Sequence, residues 1–272
     1  MSTELRTFAA GIRIESVRMV HRAKASHIGG ALSMADILAV LYGGVMNIDP
    51  TRPRLPERDR FILSKGHSTV GLYATLALRG FFPKEELNTY GCDDTRLMAH
   101  VTTRVPGVEF STGSLGHGLP FGTGKALAAK RNGERWRTFV LTSDGEWNEG
   151  SNWEALLAST HLELDNLVII IDYNKIQSLG RVEEVLRLEP FADKFRSFGA
   201  AVVEVDGHDV DALHKVFAPA PYERGKPLVV IAHTVKGKGV SYMENQLLWH
   251  YRSPNDSDLE LALTELQNGV TR

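Results

Sequence analysis

Five short apolar runs rich in β-branched residues recur along this chain: Phe61-Ile62-Leu63, Thr138-Phe139-Val140-Leu141, Leu167-Val168-Ile169-Ile170-Ile171, Ala201-Val202-Val203-Glu204-Val205 and Leu228-Val229-Val230-Ile231. Apolar runs with so little polar alternation are what strands covered on both faces require, because both sets of side chains must be buried. Between them lie helical candidates: Ser68 to Arg79, ended by Gly80, then Leu119 to Lys130, Asn152 to His161, Phe191 to Phe198 and Asp209 to Phe217. Strands alternating with helices predict an α/β fold, a doubly wound and mostly parallel sheet flanked by helices. The amino end also reads as helical, from Leu5, Phe8, Ala9, Ile12 and Val20. Ser33 with Asp36 forms a capping-box pattern before the apolar stretch Ile37 to Leu41.

A chain of 272 residues with 43% hydrophobic residues can bury one large core. The expected division is a single domain over residues 1–254 and a tail over 255–272, a polar link followed by a short terminal helix. Lysine plus arginine at 31 against aspartate plus glutamate at 33 gives a net charge of -2, so no global field draws the chain to nucleic acid or to an anionic membrane. Any anion it binds must be held by a local site. The single Cys92 excludes an internal disulfide and suits a reducing, cytoplasmic setting. Charges at Arg6, Arg13, Glu15 and Arg18 break up the amino end, and no apolar run approaches the roughly 20 residues that span a bilayer. The expectation is a protein neither secreted nor anchored.

In doubly wound sheets ligands bind beyond the carboxyl ends of the strands, which directs the search to the residues after Leu63, Leu141 and Ile171. Asp144 follows the second of these and Asn174 the third, thirty residues later. One strand-helix-strand crossover would bring these two oxygen donors to neighbouring strand ends. Magnesium prefers octahedral oxygen coordination and takes one or two protein groups together with substrate phosphates. As a metal ligand Asp144 is expected on a solvent-facing loop; the plain alternative is that Asp144-Gly145 is an ordinary turn and Asn174 a loop residue. The glycines at 113, 116, 118, 122 and 124 do not make a P-loop, since Gly124-Lys125-Ala126 lacks the hydroxyl residue and Leu119 stands where a glycine is needed. The histidines do not fall at zinc-site spacings. Lys236 and Lys238 follow a strand end, where they either meet a phosphate or solvate a turn.

Taken together, Ser143-Asp144-Gly145 and Asn174, Arg58-Asp59-Arg60-Phe61-Ile62-Leu63-Ser64-Lys65-Gly66-His67, and Gly113-Ser114-Leu115-Gly116-His117-Gly118 resemble the amino-terminal, thiamine-diphosphate-binding domain of transketolases, in the version encoded as a separate subunit. The resemblance runs from about Ile12 to Pro254. It implies the thiamine-diphosphate-binding fold of the diphosphate-holding type, with Mg2+, or Ca2+ or Mn2+ in its place, on Asp144, Asn174 and the carbonyl of Ile176. It places His67 and the backbone of Gly145 and Glu146 near the diphosphate, and Leu115 and Gly116 beside the cofactor rings. His27, His100 and His250, with His67, match histidines that contact the sugar or move protons. Glu149 and Glu154 match acidic residues that link two active sites across the family's subunit interface. Three positions depart from the family pattern: Ser143 replaces its first glycine, Ser26 the glycine before the histidine, and His117 a common glutamine.

In this family a glutamate on a second, pyrimidine-binding domain activates the cofactor, and the matched motifs use nearly the whole chain. The resemblance therefore implies a partner, the carboxy-terminal transketolase subunit, with two copies of each chain in the assembly. The implied activity is transfer of a two-carbon ketol unit from a ketose donor to an aldose acceptor. Common pentose phosphates, a branched sugar phosphate and a sulfonated sugar all remain open as substrates. Two other readings are kept: the α subunit of a 2-oxo-acid dehydrogenase, which shares the metal motif but not the segments at His27 and Lys65-Gly66-His67, and a noncatalytic cofactor-binding regulatory subunit.

Overall fold

The five apolar runs are the five strands of one sheet: β1 (Arg60–Leu63), β2 (Thr138–Ser143), β3 (Leu167–Tyr173), β4 (Ala201–Asp206) and β5 (Leu228–His233). They lie in the order β1-β2-β3-β5-β4, and every neighbouring pair is parallel. The computed structural model describes residues 2–219 and 221–269. Its helices are α1 (Ser2–Ala23), α2 (Ile28–Ser33), α3 (Ala35–Val40), α4 (Thr69–Leu78), α5 (Gly118–Asn132), α6 (Gly150–His161), α7 (Val182–Val185), α8 (Phe191–Ser197), α9 (Val210–Phe217) and α10 (Asp256–Gly269). None is long and apolar enough to cross a membrane among the described residues.

Both faces of the sheet are covered, as its apolar strands require. Because strand side chains alternate between faces, Phe139, Leu141, Val168, Ile170, Leu228 and Val230 join one core with α1 to α4 and α9. Val140, Leu167, Ile169, Ile171, Val229 and Ile231 join the other, with α5, α6 and α8. Helix α10, which follows Pro254, lies along α1 and buries Ala262 and Leu266. The register pairs Ser143 with Asp172 and Tyr173 with His233, so β2, β3 and β5 end level with one another. Strand β3 runs two residues past the apolar stretch. Its alternation puts Asp172 on the same face as Val168 and Ile170, toward α2.

The capping-box reading of Ser33 and Asp36 does not hold. Met34 stands at the amino end of α3 without a side-chain cap, and Ser33 is the last residue of α2. Its hydroxyl donates to Asp172 at 2.6 Å instead. Burial would raise the Asp36 carboxyl, but Arg13 and His208 beside it hold it down to about 2. Buried charged partners win over a local cap because an unpaired buried carboxylate costs far more than a missing cap contributes.

Helix α5 shows why its glycines are there. A Cβ on Gly122 would lie 2.4 Å from Cγ2 of Val140 in β2, whereas one on Gly124 would meet nothing within 4 Å. Gly122→Ala is therefore expected to destabilise the chain by about 1–3 kcal/mol through overpacking against a stiff β-branched side chain. Gly124→Ala, two residues on, is expected to stabilise it by about 0.5–1 kcal/mol by restricting the unfolded chain. Urea unfolding midpoints measure both, and shifts of the same sign would contradict this packing.

Candidate functional site

Four parallel strands deliver their following loops to one edge of the sheet: Ser64 to His67 after β1, Asp144 after β2, Asn174 to Ile176 after β3, and Thr234 to Lys236 after β5. Asp172, fully buried, ties them together. Its carboxylate accepts from Lys65 Nζ, from the hydroxyls of Ser33 and Thr234, and from Asn174 Nδ2 at 3.4 Å. Lys65, itself buried, also donates to the carbonyl of Gly30 at 2.9 Å. Burial pushes the Asp172 carboxyl up, but the Lys65 ammonium and these hydrogen bonds outweigh it and hold it below its ordinary value. Because a carboxylate only accepts, the Asn174 amide must turn its NH2 toward Asp172 and present Oδ1 elsewhere.

Asp144 is placed differently. It lies on a loop as expected, but that loop is not solvent-facing: the residue is 2% exposed. Oδ1 accepts from Gly145 N and Oδ2 from Lys175 N, each at 2.7 Å. Burial, with the negative charge of Asp172, pushes its carboxyl up to about 6 against those two amides and the charge of Lys236. A buried carboxylate repelled by another, with no ion pair among the described residues, suits a divalent cation. Asn174 Oδ1 and the Ile176 carbonyl lie on the adjoining turn, where Lys175 takes a left-handed φ of 66°. One carboxylate, one amide oxygen and one carbonyl form an all-oxygen set of the type Mg2+, Ca2+ or Mn2+ accepts. The residues present fit the cation that the resemblance implies.

The loop expected beside the cofactor rings is fixed from within. Gly116 N donates to Glu146 Oε1 at 2.9 Å, and its carbonyl accepts from Ser151 Oγ at 2.6 Å. Its φ is +80°, and a Cβ there would lie 2.6 Å from Ser151 Oγ, so only glycine fits. Glu146 is wholly buried and also takes the Ser64 hydroxyl and Ser143 N. Burial pushes its carboxyl up, opposed by those bonds. Its side chain thus joins the ends of β1 and β2 to the Gly116 loop. His117 is exposed and folds back on its own loop, Nδ1 to the Leu115 carbonyl at 2.9 Å.

The four candidate histidines come together. Ring centroids of His27 lie 4.9 Å from His250, 5.3 Å from His67 and 6.4 Å from His100, and those of His67 and His250 lie 5.8 Å apart. Burial lowers the His67 ring well below its ordinary value, with Lys65 adding to the effect. Burial, and then the charge of Lys236, lowers His250 to about 3; burial and His100 lower His27. These three rings are therefore neutral at neutral pH and act as paired donors and acceptors rather than as cations.

Lys236 is no solvated turn residue. It is 2% exposed, and Nζ donates to the Ile176 carbonyl at 2.9 Å and to His250 Nδ1 at 3.2 Å. Burial pushes its ammonium down to about 8, with Asp144 opposing. Sequence reasoning gave no role to Lys65 or Asp172; the available signal was a charged residue at the end of an otherwise apolar strand. Glu149 and Glu154 are exposed beside a groove of about 620 Å³ between α5 and α6, lined by Phe110, Gly116, His117 and Phe121. His21, His208 and His233 instead pair with Asp256, Asp36 and Glu204, away from the cluster.

Comparison with known proteins agrees with this geometry. Residues 5–267 match the family described as "Transketolase, thiamine diphosphate binding domain". The chain is 43% identical over 256 residues to an apulose-4-phosphate transketolase subunit of Phocaeicola vulgatus, covering 94% of this chain and 91% of that protein. It is 39% identical to "6-deoxy-6-sulfo-D-fructose transketolase subunit SqwG" of Clostridium sp., covering 94% of each. The crystal structure of transketolase from Campylobacter jejuni superposes with a TM-score of 0.91 at 29% identity, covering 97% of this chain but only 42% of that one. The chain thus has the length of the proteins named as subunits and spans about two fifths of the solved transketolase. On this match and this architecture, the chain belongs to the transketolase family, as its thiamine diphosphate binding domain.

Proposed function

We propose that this chain is the amino-terminal subunit of a two-chain transketolase and that, with a partner supplying the pyrimidine-binding domain, it transfers a two-carbon ketol unit from a ketose phosphate to an aldose acceptor. The observation that carries this reading is that Lys236 joins the Ile176 carbonyl, on the turn that also reaches Asp144, to His250 in the four-histidine cluster. Thiamine diphosphate supplies the carbanion-stabilising chemistry when bound. Asp144, Asn174 Oδ1 and the Ile176 carbonyl would hold its divalent cation, and Lys236 stands next to them as a second positive charge for the diphosphate. Glu146 and Ser151 keep Leu115 and Gly116 in place as a preformed wall for the rings. His27, His67, His100 and His250 bind the sugar hydroxyls and exchange protons with them, and at His27, His67 and His250 burial keeps the ring neutral for that task.

The sugar itself is proposed from the relatives. A branched ketose phosphate of the apulose 4-phosphate kind is the first donor to screen, with a sulfonated ketose as the second. The partner is the carboxy-terminal transketolase subunit, in an assembly with two copies of each chain. The exposed groove beside Glu149 and Glu154 supports a second copy at that face. The lone, exposed Cys92 fits a reducing cytoplasmic setting. The 2-oxo-acid dehydrogenase alternative is set aside by the family match, and the presence of Asp144 and Asn174 with four assembled histidines speaks against a noncatalytic regulator.

Two substitutions separate the roles. In the assembled enzyme Asp144→Ala is expected to weaken Mg2+-dependent thiamine diphosphate binding about 100-fold or more, since it removes the only charged ligand. His100→Ala is expected to cut turnover about 100-fold while changing cofactor affinity less than about threefold. Calorimetry and steady-state kinetics on the same preparations measure both, and equal losses of affinity would move His100 to the diphosphate. The split-enzyme reading is tested by activity with and without the partner. Partner-free chain is expected to turn over no ketose and the pair to be active; robust ketol transfer by the chain alone would overturn it.

A further inference from the structure

A neutral imidazole carries its proton on one nitrogen and a lone pair on the other, so a histidine that contacts a sugar is useful only in the right tautomer. At His250 the choice is fixed by Lys236. An ammonium can only donate, so Nδ1 accepts from it at 3.2 Å and Nε2 keeps the proton.

His27 has a different neighbour. Ser26 Oγ lies 2.8 Å from His27 Nδ1, and this hydroxyl has no other acceptor among the described residues. His27 sits in the left-handed region, φ 70° and ψ 19°, a conformation that is costly for a residue with a Cβ. Its backbone N–H donates to the His250 carbonyl at 3.0 Å, which locks the two histidines side by side. Backbone and ring are thus both held, and Nε2 is left as the nitrogen without a protein partner among the described residues. The Ser26 side chain is the one departure from the family's glycine that touches a histidine of the cluster, and a glycine could not make this bond.

We propose that Ser26 is a positioning residue of the sugar site: its hydroxyl donates to Nδ1 of His27 and so fixes the tautomer whose Nε2–H is free to donate to a sugar oxygen. His27 and His250 then present the same atom, the Nε2 proton, from rings 4.9 Å apart. The sugar in this statement rests on the transketolase reading; the tautomer does not.

The test has two arms. In the full-length chain labelled with 15N-histidine, long-range 15N–1H correlation spectra at slightly alkaline pH report the tautomer, with the His27 signal identified by its loss in His27→Gln. Wild type and Ser26→Thr are expected to show the Nε2–H form, and Ser26→Ala a mixture. In the chain assembled with its pyrimidine-domain partner, Ser26→Ala is expected to lower kcat about fivefold with cofactor affinity within about twofold, as loss of one hydrogen bond to a working group would, and Ser26→Thr to restore the rate. An Nδ1–H form in wild type, or the same form in Ser26→Ala, overturns the proposal even if no sugar is turned over. A changed tautomer with kcat unchanged overturns the positioning role. An inactive wild-type pair would count against the transketolase reading, and the spectra would still decide the tautomer.

Discussion

The buried pair of Lys65 and Asp172 is the contact on which the rest of the site depends. Such a pair contributes little net stability, because desolvation consumes most of its attraction, yet leaving either charge alone would cost about 3–5 kcal/mol. It therefore acts as a constraint. Asp172 can be satisfied only if Lys65 after β1, Ser33 at the end of α2, Thr234 after β5 and Asn174 after β3 all arrive together. Four separate stretches of chain are brought into register by one carboxylate. The same carboxylate orients the Asn174 amide by taking its NH2, which leaves Oδ1 as the atom offered to the proposed cation.

Two aspartates at neighbouring strand ends are thereby given opposite work. Asp172 has the lysine and its other donors and stays ionised as part of the frame. Asp144 has two backbone amides and the repulsion of Asp172, and burial leaves it poised near the middle of the pH range. The difference lies in partners rather than in depth, since both are buried. The electrostatics of the remaining groups follow. Lys236 sits between the Ile176 carbonyl and His250, and its charge together with burial keeps the nearby rings neutral.

Much of this was legible in the sequence, and what escaped has a common cause. All five strands and the longer helices between them follow from apolar runs, because a strand covered on both faces and a helix covered on one leave clear patterns; the four-residue α7 between β3 and β4 is too short to leave one. The placement of Asp144 and Asn174 at neighbouring strand ends was legible because the topology of a parallel sheet dictates where its loops fall, whereas the four histidines, spread over the chain, were singled out only by the resemblance. What one-dimensional pattern could not show is which charges meet. Ser33 and Asp36 have the local spacing of a cap, but each is taken by partners from other elements: Ser33 by Asp172, and Asp36 by Arg13 and His208. Asp144 reads as an exposed turn, since Asp-Gly is common in turns and nothing nearby reveals that the loop is buried. Lys236 is ambiguous for the same reason. The wall at Gly116 depends on Glu146, whose neighbours in sequence give no sign that its side chain reaches two distant segments, at Ser64 and at Gly116.

The central claim is that Asp144, destabilised as a carboxylate in the protein alone, is the group a cation binds. Proton release on loading the assembled enzyme with Mg2+ and thiamine diphosphate tests this most directly. Calorimetry in buffers of different ionisation enthalpy counts the protons. With the folded carboxyl raised to about 6, cation binding must expel protons near and below that pH. The release attributable to Asp144, wild type minus Asp144→Asn, should be about half a proton per site at pH 6 and near zero by pH 8. Identical proton release by the two proteins at pH 6, with both binding the cofactor, would contradict the account.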